Sequence, residues 1–291
     1  MNPHRNNNTR RTRQRPVGRV ARGVTLIELL MALTITTTLS IVLGGLMLAV
    51  QAAREHTEGM EEATAQAQAS LERVRYMVAH AGVYQLDGAE TVLGLAVVGR
   101  AWSSSLLPSI LVVWSGGRGG GMAEAGVQSR LPEVDEIVMY SYDESAPSRF
   151  VEIIVPGDST EIDFKAADFD DTILSLISSA SAEQLLLCDR LRRSTLSGSP
   201  PFSDPGVGNV SFGLEQLPDE ASIAAVTPGT QAWNDLVWSQ AIVSSDSGMR
   251  QATVRMEIQV EPYSFEAPST DSIPIAAPFF GSASYRYVYR P

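Results

Sequence analysis

One carboxylate, Glu28, directly precedes a long apolar segment, a position at which a charged residue is unfavourable unless it has a function. The 22 residues from Leu29 to Val50 carry no charge. As an α-helix rising about 1.5 Å per residue, they would extend ~33 Å, enough to cross the hydrocarbon core of a bilayer. An acid carried to mid-membrane costs roughly 2.5–3.5 kcal/mol, so Glu28 is expected to have a partner.

The other residues that could do chemistry lack the spacing that chemistry needs. His4, His56 and His80 form no HExxH or Cys/His metal motif. The glycine-rich stretch Gly116–Gly121 is not followed by the Lys-Ser/Thr pair of a phosphate-binding loop, and no GxSxG motif occurs. Cys188 is the single cysteine, which excludes an intramolecular disulfide and is typical of a small buried side chain. We therefore expect no enzymatic activity, no catalytic residue and no cofactor.

One acidic cluster could supply oxygen ligands to calcium. It consists of Asp163, Asp168, Asp170 and Asp171. The spacing does not match the 12-residue calcium loop, and capping of a helix by Asp170 or Asp171 explains these residues equally well. We do not expect calcium or another metal to bind here.

The charge of the chain is divided unevenly along its 291 residues. Residues 1–23 contain seven arginines and no acid, whereas residues 24–291 contain 15 basic and 33 acidic residues. The strongly acidic balance of the second part argues against a nucleic-acid surface. Arginines before an apolar span predict a cytoplasmic N-terminus, a single pass through the membrane and an exported remainder.

Three interpretations compete for this N-terminal region. A cleaved secretory signal has an apolar core of about 7–15 residues, which is shorter than this segment, although the residues up to Ala52 resemble a weak cleavage site. A permanent signal anchor fits the length but gives no reason for Glu28. The third interpretation comes from the residues before the apolar run, which read Gly23-Val24-Thr25-Leu26-Ile27-Glu28-Leu29-Leu30.

This motif closely resembles the cleavage and methylation motif of type IV pilins and type II secretion pseudopilins. The resemblance implies that a prepilin peptidase cuts between Gly23 and Val24, on the cytoplasmic side of the inner membrane. It further implies that Val24 becomes an N-methylated terminus and that Glu28 is an assembly contact. A carboxylate on one subunit and an ammonium on the next would neutralise each other where water is scarce.

The segment that follows predicts a second helical part. From residue 51 to residue 82, small and apolar residues recur at spacings of three and four, which indicates an amphipathic helix that Gly82 could end. We expect an α+β, pilin-like fold in which one long N-terminal helix packs on an antiparallel β-sheet. The predicted organisation is a leader (1–23), a transmembrane helix (24–50), an amphipathic helix (51–82) and an exported domain (83–291).

Beyond residue 83, alternating residues predict a series of strands. The clearest is Ala252–Val260, which alternates from Thr253 onwards, with Val254 and Met256 on one face and Arg255 and Glu257 on the other. The remaining predictions are strands at Val92–Val98, Ile110–Trp114, Glu136–Tyr142, Phe150–Val155, Glu161–Phe164, Asn209–Leu217, Leu236–Val243 and Ala283–Tyr289, and a helix at Asp170–Arg193. Tyrosines and tryptophans on these strands are expected to pack in the core.

A second, weaker resemblance lies in the C-terminal half. Val210-Ser211-Phe212, the tryptophans Trp233 and Trp238, and the segment Met249–Val254 resemble the closing sheet of J-type minor pseudopilins. Together the resemblances imply a structural subunit that assembles with other pseudopilins or pilins into a filament for protein export. The alternative is an exported sheet domain on an uncleaved signal anchor, acting as a binding protein or an enzyme.

Overall fold

The computed structural model describes residues 24–102, 105–194, 206–239, 244–262 and 276–291. The basic leader, with the predicted cleavage residue Gly23, lies outside the described residues. The chain divides into two compact units at the junction of Ala53 and Arg54. Helix α1 (Leu26–Ala79) contributes residues to both units.

The N-terminal unit consists of the apolar half of α1. Its most apolar 18-residue window has a mean hydropathy of 2.1, and none of that window is buried. Hydroxyl side chains in this half bond within the helix, as Thr36 and Thr37 do by donating to the carbonyls of Ala32 and Leu33 at 2.8 and 2.7 Å. These bonds satisfy polar groups that lipid could not. The helix is long and apolar enough to span a membrane, which fits a single-pass anchor.

The second unit is an α+β domain. Its helices after α1 are α2 (Phe169–Ile177), α3 (Glu220–Ala224) and α4 (Gln231–Asn234). Its strands are β1 (Val83–Tyr84), β2 (Val92–Leu93), β3 (Leu95–Trp102), β4 (Ser105–Trp114), β5 (Val127–Gln128), β6 (Ile137–Tyr142), β7 (Phe150–Ile154), β8 (Glu183–Cys188), β9 (Arg193–Ser194), β10 (Val207–Gly208), β11 (Val210–Leu217), β12 (Gly248–Val260) and β13 (Ala277–Tyr289).

Two antiparallel sheets dominate this domain. The larger has the order β3-β4-β6-β7-β8 and the other has the order β11-β12-β13. A small sheet, β2-β1-β5, contains a parallel pair between β1 and β5, and β9 pairs with β10. The long N-terminal helix and the antiparallel sheets agree with the predicted fold class.

Residues on the two faces of the five-stranded sheet enter different cores. Leu111 and Val113 join a cluster with Val74 and Met77 of α1 and with Met256 of β12. The residues of β4 that alternate with Leu111 and Val113 point to the other face of the sheet and join a second cluster with residues of α2. Because both faces are covered, β4 is buried from Ser109 through Trp114. The second half of α1 is therefore a core element, with Ala63, Ala67 and Met77 fully buried.

Three predicted secondary-structure elements differ from the structure in this domain. The predicted helix Asp170–Arg193 is α2 followed by β8, because Leu186 and Cys188 pair with β7 instead of continuing a helical face. Glu161 forms only an isolated bridge to Glu133 in place of a strand over Glu161–Phe164. The described part of Leu236–Val243 is loop, following α4.

The strand predictions for the sheet β11-β12-β13, here called the closing sheet, are confirmed. In β12 the residues Ala252, Val254, Met256 and Ile258 are buried, whereas those between them are partly or fully exposed. The strand begins four residues earlier than predicted and pairs with β13 over its whole length. The predicted aromatic residues lie on strands, and all but the partly buried Tyr285 are in the buried class (Trp114, Tyr140, Tyr142, Tyr285, Tyr287 and Tyr289).

Candidate functional site

Thr25 and Glu28 form a reciprocal pair at the N-terminus of α1. The backbone N–H of Thr25 donates to Oε2 of Glu28 at 2.9 Å, and the Thr25 hydroxyl donates to the same oxygen at 3.1 Å. The backbone N–H of Glu28 lies 3.4 Å from the Thr25 hydroxyl oxygen. This is a capping box, in which a threonine and a glutamate three residues later satisfy the free N–H groups of the first turn.

The capping box explains locally why a carboxylate is tolerated beside an apolar segment. A negative charge in the first turn also interacts favourably with the positive end of the helix dipole. Both Thr25 donors converge on Oε2, and no hydrogen bond from the described residues reaches Oε1. Among the described residues, Oε1 of Glu28 therefore remains available to a further donor.

The remaining residues of the motif are surface residues of the helix. The apolar side chains Val24, Leu26 and Ile27 are 71%, 80% and 67% exposed. Leu29 and Leu30 are exposed as well. The structure thus brings Thr25 and Glu28 together and leaves a continuous apolar surface around them.

The acidic cluster weighed for calcium does not converge. Asp163 accepts the hydroxyl of Tyr84 at 2.7 Å, and burial together with this bond raises the pKa of Tyr84 well above its usual value. Asp168 is the N-cap residue of α2 and makes no capping bond with its side chain, so the prediction of Asp170 or Asp171 as the cap is wrong. Within the described ranges, no group of three histidine, cysteine, aspartate or glutamate side chains is placed to hold a metal ion.

A fully buried carboxylate, Glu152 of β7, lies beneath α1. Arg73 of α1 donates to both of its oxygens, with Nε at 2.8 Å and Nη2 at 3.1 Å. The hydroxyl of Tyr140 donates at 2.9 Å, and burial raises the pKa of this tyrosine well above its usual value. Nε of Arg118 lies 3.3 Å away without hydrogen-bond geometry, so its contribution is electrostatic. These partners hold the carboxylate in place, which is a structural role.

The same network fixes the glycine-rich loop. Arg73 donates through Nη2 to the carbonyl of Arg118 at 2.8 Å, and the hydroxyl of Tyr76 donates to the carbonyl of Gly119 at 3.2 Å. Gly120 has a φ of +72°, and a Cβ there would lie 3.2 Å from the Tyr76 ring and 3.3 Å from Cβ of His80. The loop is therefore packed on α1. The sequence offered no signal for this network, because its members are far apart in the chain.

Cys188 agrees with its expected character. It is 1% exposed at the end of β8. Burial raises the pKa of its thiol to about 11, which disfavours the reactive thiolate.

Comparisons with protein-family models, with curated proteins and with solved structures found no match to this chain.

Proposed function

We propose that this chain is the precursor of a membrane-anchored, pilin-like subunit. The observation that carries the proposal is the Thr25–Glu28 pair at the head of an exposed apolar helix, directly after the Gly23-Val24 junction. In this proposal a prepilin peptidase removes residues 1–23 on the cytoplasmic side of the inner membrane. Val24 then carries a new, N-methylated amino group, and the domain from residue 54 onwards is exported.

The geometry of Glu28 supports a role in assembly. Oε2 is used by the capping box within the subunit, and Oε1 accepts no hydrogen bond from the described residues. The ammonium of Val24 on a neighbouring subunit would pair with this free oxygen. In a water-poor filament core such a pair neutralises two charges that are costly when buried alone.

The size of the chain favours a minor subunit of a type II secretion pseudopilus or a related type IV pilus machine. With 291 residues it exceeds a typical major pilin, and the amino-acid sequence around its closing sheet resembles that of J-type minor pseudopilins. Its proposed work is structural: it initiates or caps a short filament that moves exported proteins outwards. The partners are other pseudopilins or pilins and the prepilin peptidase, with no catalytic step on this chain.

The deciding experiment is the N-terminal mass of the chain recovered from membranes after co-expression with a prepilin peptidase. The expected product begins at Val24. Gly23→Ala is expected to be cut better than Gly23→Val, because a small residue lets the peptidase approach the backbone. Recovery of full-length protein alone would support the uncleaved signal anchor, and a terminus at Ala53 would indicate a secretory signal. Either result would overturn the proposal.

A further inference from the structure

Strand β13 forms an edge of the closing sheet. It pairs along its whole length with β12, and among the described strands no other one pairs with it. The carbonyl of Ser282 accepts Nε of Arg75 at 3.2 Å, and the carbonyl of Arg290 accepts the N–H of Thr91 at 2.7 Å. Both carbonyls therefore point away from β12. Since neighbouring residues of a strand point to opposite sides, the even-numbered residues of β13 direct their N–H and C=O groups to the free edge.

Between Phe279 and Tyr285 this edge has few of the devices by which monomeric proteins protect an unpaired strand. Residues 277–285 carry no charge. Phe280, on the outer face of β13, is 68% exposed. Natural edges of such length are blunted by charges, bulges or a covering element, because an uncharged edge is a template for another strand. Pro278 limits the edge at its start, Arg75 at the Ser282 carbonyl, and Thr91 just beyond its end at Arg290.

We infer that the free edge of β13 pairs antiparallel with β13 of a second copy of this chain, about a two-fold axis close to Ser282. Charge permits self-pairing, because such a register places Arg286 opposite Pro278 and sets no two like charges of β13 opposite each other. Arg75, which each copy brings near the axis, is paired with Glu72 of its own helix. The register also places Phe279 opposite Tyr285 on each side of the axis, and both are partly buried residues that pack on the core. The contact is isologous and closes at two chains, so it does not propagate.

Arg75 controls access to this edge. Its Nη1 lies 2.5 Å from Glu72 of the same helix, while its Nε holds the Ser282 carbonyl. The Ser282 carbonyl must be released, or shared, when the second strand binds. Loss of the arginine side chain is therefore expected to favour pairing. The inference concerns the exported unit and does not rest on processing at Gly23.

The test uses the full chain in detergent or in nanodiscs, with Cys188→Ala as background. Ser282→Cys, near the proposed axis, is treated with a short bismaleimide, and Ser175→Cys, at an exposed position of α2, is the matched control. We expect an efficiently linked dimer for Ser282→Cys and at least a fivefold lower yield for Ser175→Cys. Addition of Arg75→Ala to the Ser282→Cys variant should raise the yield.

A backbone variant separates strand pairing from a chance encounter. Ser284→Pro removes an N–H that points to the free edge, and edge strands tolerate proline in that orientation. It should abolish the linked dimer of the Ser282→Cys variant while the domain keeps its thermal unfolding midpoint within a few degrees. Ala283→Pro, which removes an N–H directed to β12, is the destabilising comparison. Absence of a dimer, equal linking at Ser175, or linking that survives Ser284→Pro would each overturn the inference.

Discussion

Arg73 and Glu152, 79 positions apart in the chain, join the second half of α1 to the five-stranded sheet through two hydrogen bonds of 2.8 and 3.1 Å. The carboxylate is completely buried, whereas 27% of the arginine side chain is exposed. A planar guanidinium matches a carboxylate in this two-bond geometry better than a lysine could. The pair therefore holds α1 against the sheet and also fixes the position of the helix along it.

Removing one partner of this pair should destabilise the domain strongly. Arg73→Met leaves Glu152 buried with only Arg118 and Tyr140, and a broken buried pair typically costs about 3–5 kcal/mol of unfolding free energy. Glu152→Leu removes the buried charge itself and leaves the partly exposed arginines free to turn to water. We expect Arg73→Met to lower the unfolding free energy more than Glu152→Leu does, in urea titrations followed by tryptophan fluorescence.

The control for this comparison is an exposed pair on the closing sheet. Arg255 and Glu215 are 2.6 Å apart, with side chains 72% and 49% exposed. Arg255→Met should cost no more than about 1 kcal/mol. An equal loss of unfolding free energy in Arg73→Met and Arg255→Met would show that the burial of Glu152 does not strengthen the contribution of its ion pair to stability.

Two carboxylates should affect acid stability in opposite directions. Glu136 accepts bonds from Arg130 and Trp114, and chiefly the Arg130 bond lowers its pKa. Glu261 is 7% exposed and lies 3.7 Å from Arg192, yet burial raises its pKa. Glu136 therefore stabilises the fold above the unfolded-state pKa of about 4.3, and this stability is lost as the pH falls. Glu261 costs stability as the pH rises from that value through its raised folded-state pKa.

The measurement is the unfolding free energy of each glutamine variant at pH 4 and at pH 7. The loss of unfolding free energy caused by Glu136→Gln, relative to the parent chain, should be larger at pH 7 than at pH 4. Glu261→Gln should show the opposite difference. Comparing each variant with itself at two pH values cancels losses of packing that do not depend on pH. Differences of the same sign for both variants would contradict the assignment.

Gly82 should be intolerant of a side chain because of Trp114. A Cβ at Gly82 would lie 2.6 Å from Cε3 of Trp114, and the Gly82 N–H donates to the Trp114 carbonyl at 2.7 Å. Gly82→Ala must displace a fully buried tryptophan, so we expect a loss of about 1–3 kcal/mol. Gly119→Ala, which meets nothing within 4 Å, should stay within about 0.5 kcal/mol of the parent in thermal unfolding.

The sequence predicts best those features that depend on residues close together in the chain. Local signals served well: the apolar run gave the membrane-length helix, and alternation gave β12 with Val254 and Met256 inward. Thr25 and Glu28 lie three residues apart and match the capping-box pattern, which could have been recognised beforehand. The Gly82 prediction named the correct region, yet α1 ends at Ala79, and Gly82 instead permits the close approach of Trp114.

Signals that depend on distant partners were out of reach. Leu186 and Cys188 looked helical in sequence, but pairing with β7 determines their conformation. Tertiary contacts override local preference in such short apolar runs. The Glu152 network could not be found from spacing, since neither Arg73 nor Arg118 lies near Glu152 in the chain.

The orientation of the chain in the membrane is also testable. If the proposed orientation holds, the arginine-rich N-terminal segment stays cytoplasmic and the unit from Arg54 onwards lies outside the inner membrane. A reporter that requires the periplasm, fused after Pro291, should be active. A reporter that works only in the cytoplasm should be inactive at the same position. The reverse pattern would refute the proposed orientation.

Glu28 allows charge to be separated from capping. Glu28→Gln keeps an acceptor that can complete the capping box, whereas Glu28→Ala removes both acceptor and charge. If the charge pairs with Val24 of a neighbouring subunit, both variants should be cleaved and should insert at least as well as the parent chain. Both should fail to join a filament, because an unpaired buried ammonium costs roughly 3–5 kcal/mol.

The measurement is recovery of co-expressed pseudopilins with the tagged chain from detergent extracts, together with the N-terminal mass. If Glu28 only caps the helix, Glu28→Gln should recover partners as the parent does, and only Glu28→Ala should lose them. If the glutamate serves the peptidase, both variants should retain residues 1–23. Loss of partners in both variants, with normal cleavage, is the result expected from an ion pair between subunits. Thr25→Val, which removes the hydroxyl but keeps the Glu28 charge, should then assemble better than Glu28→Gln.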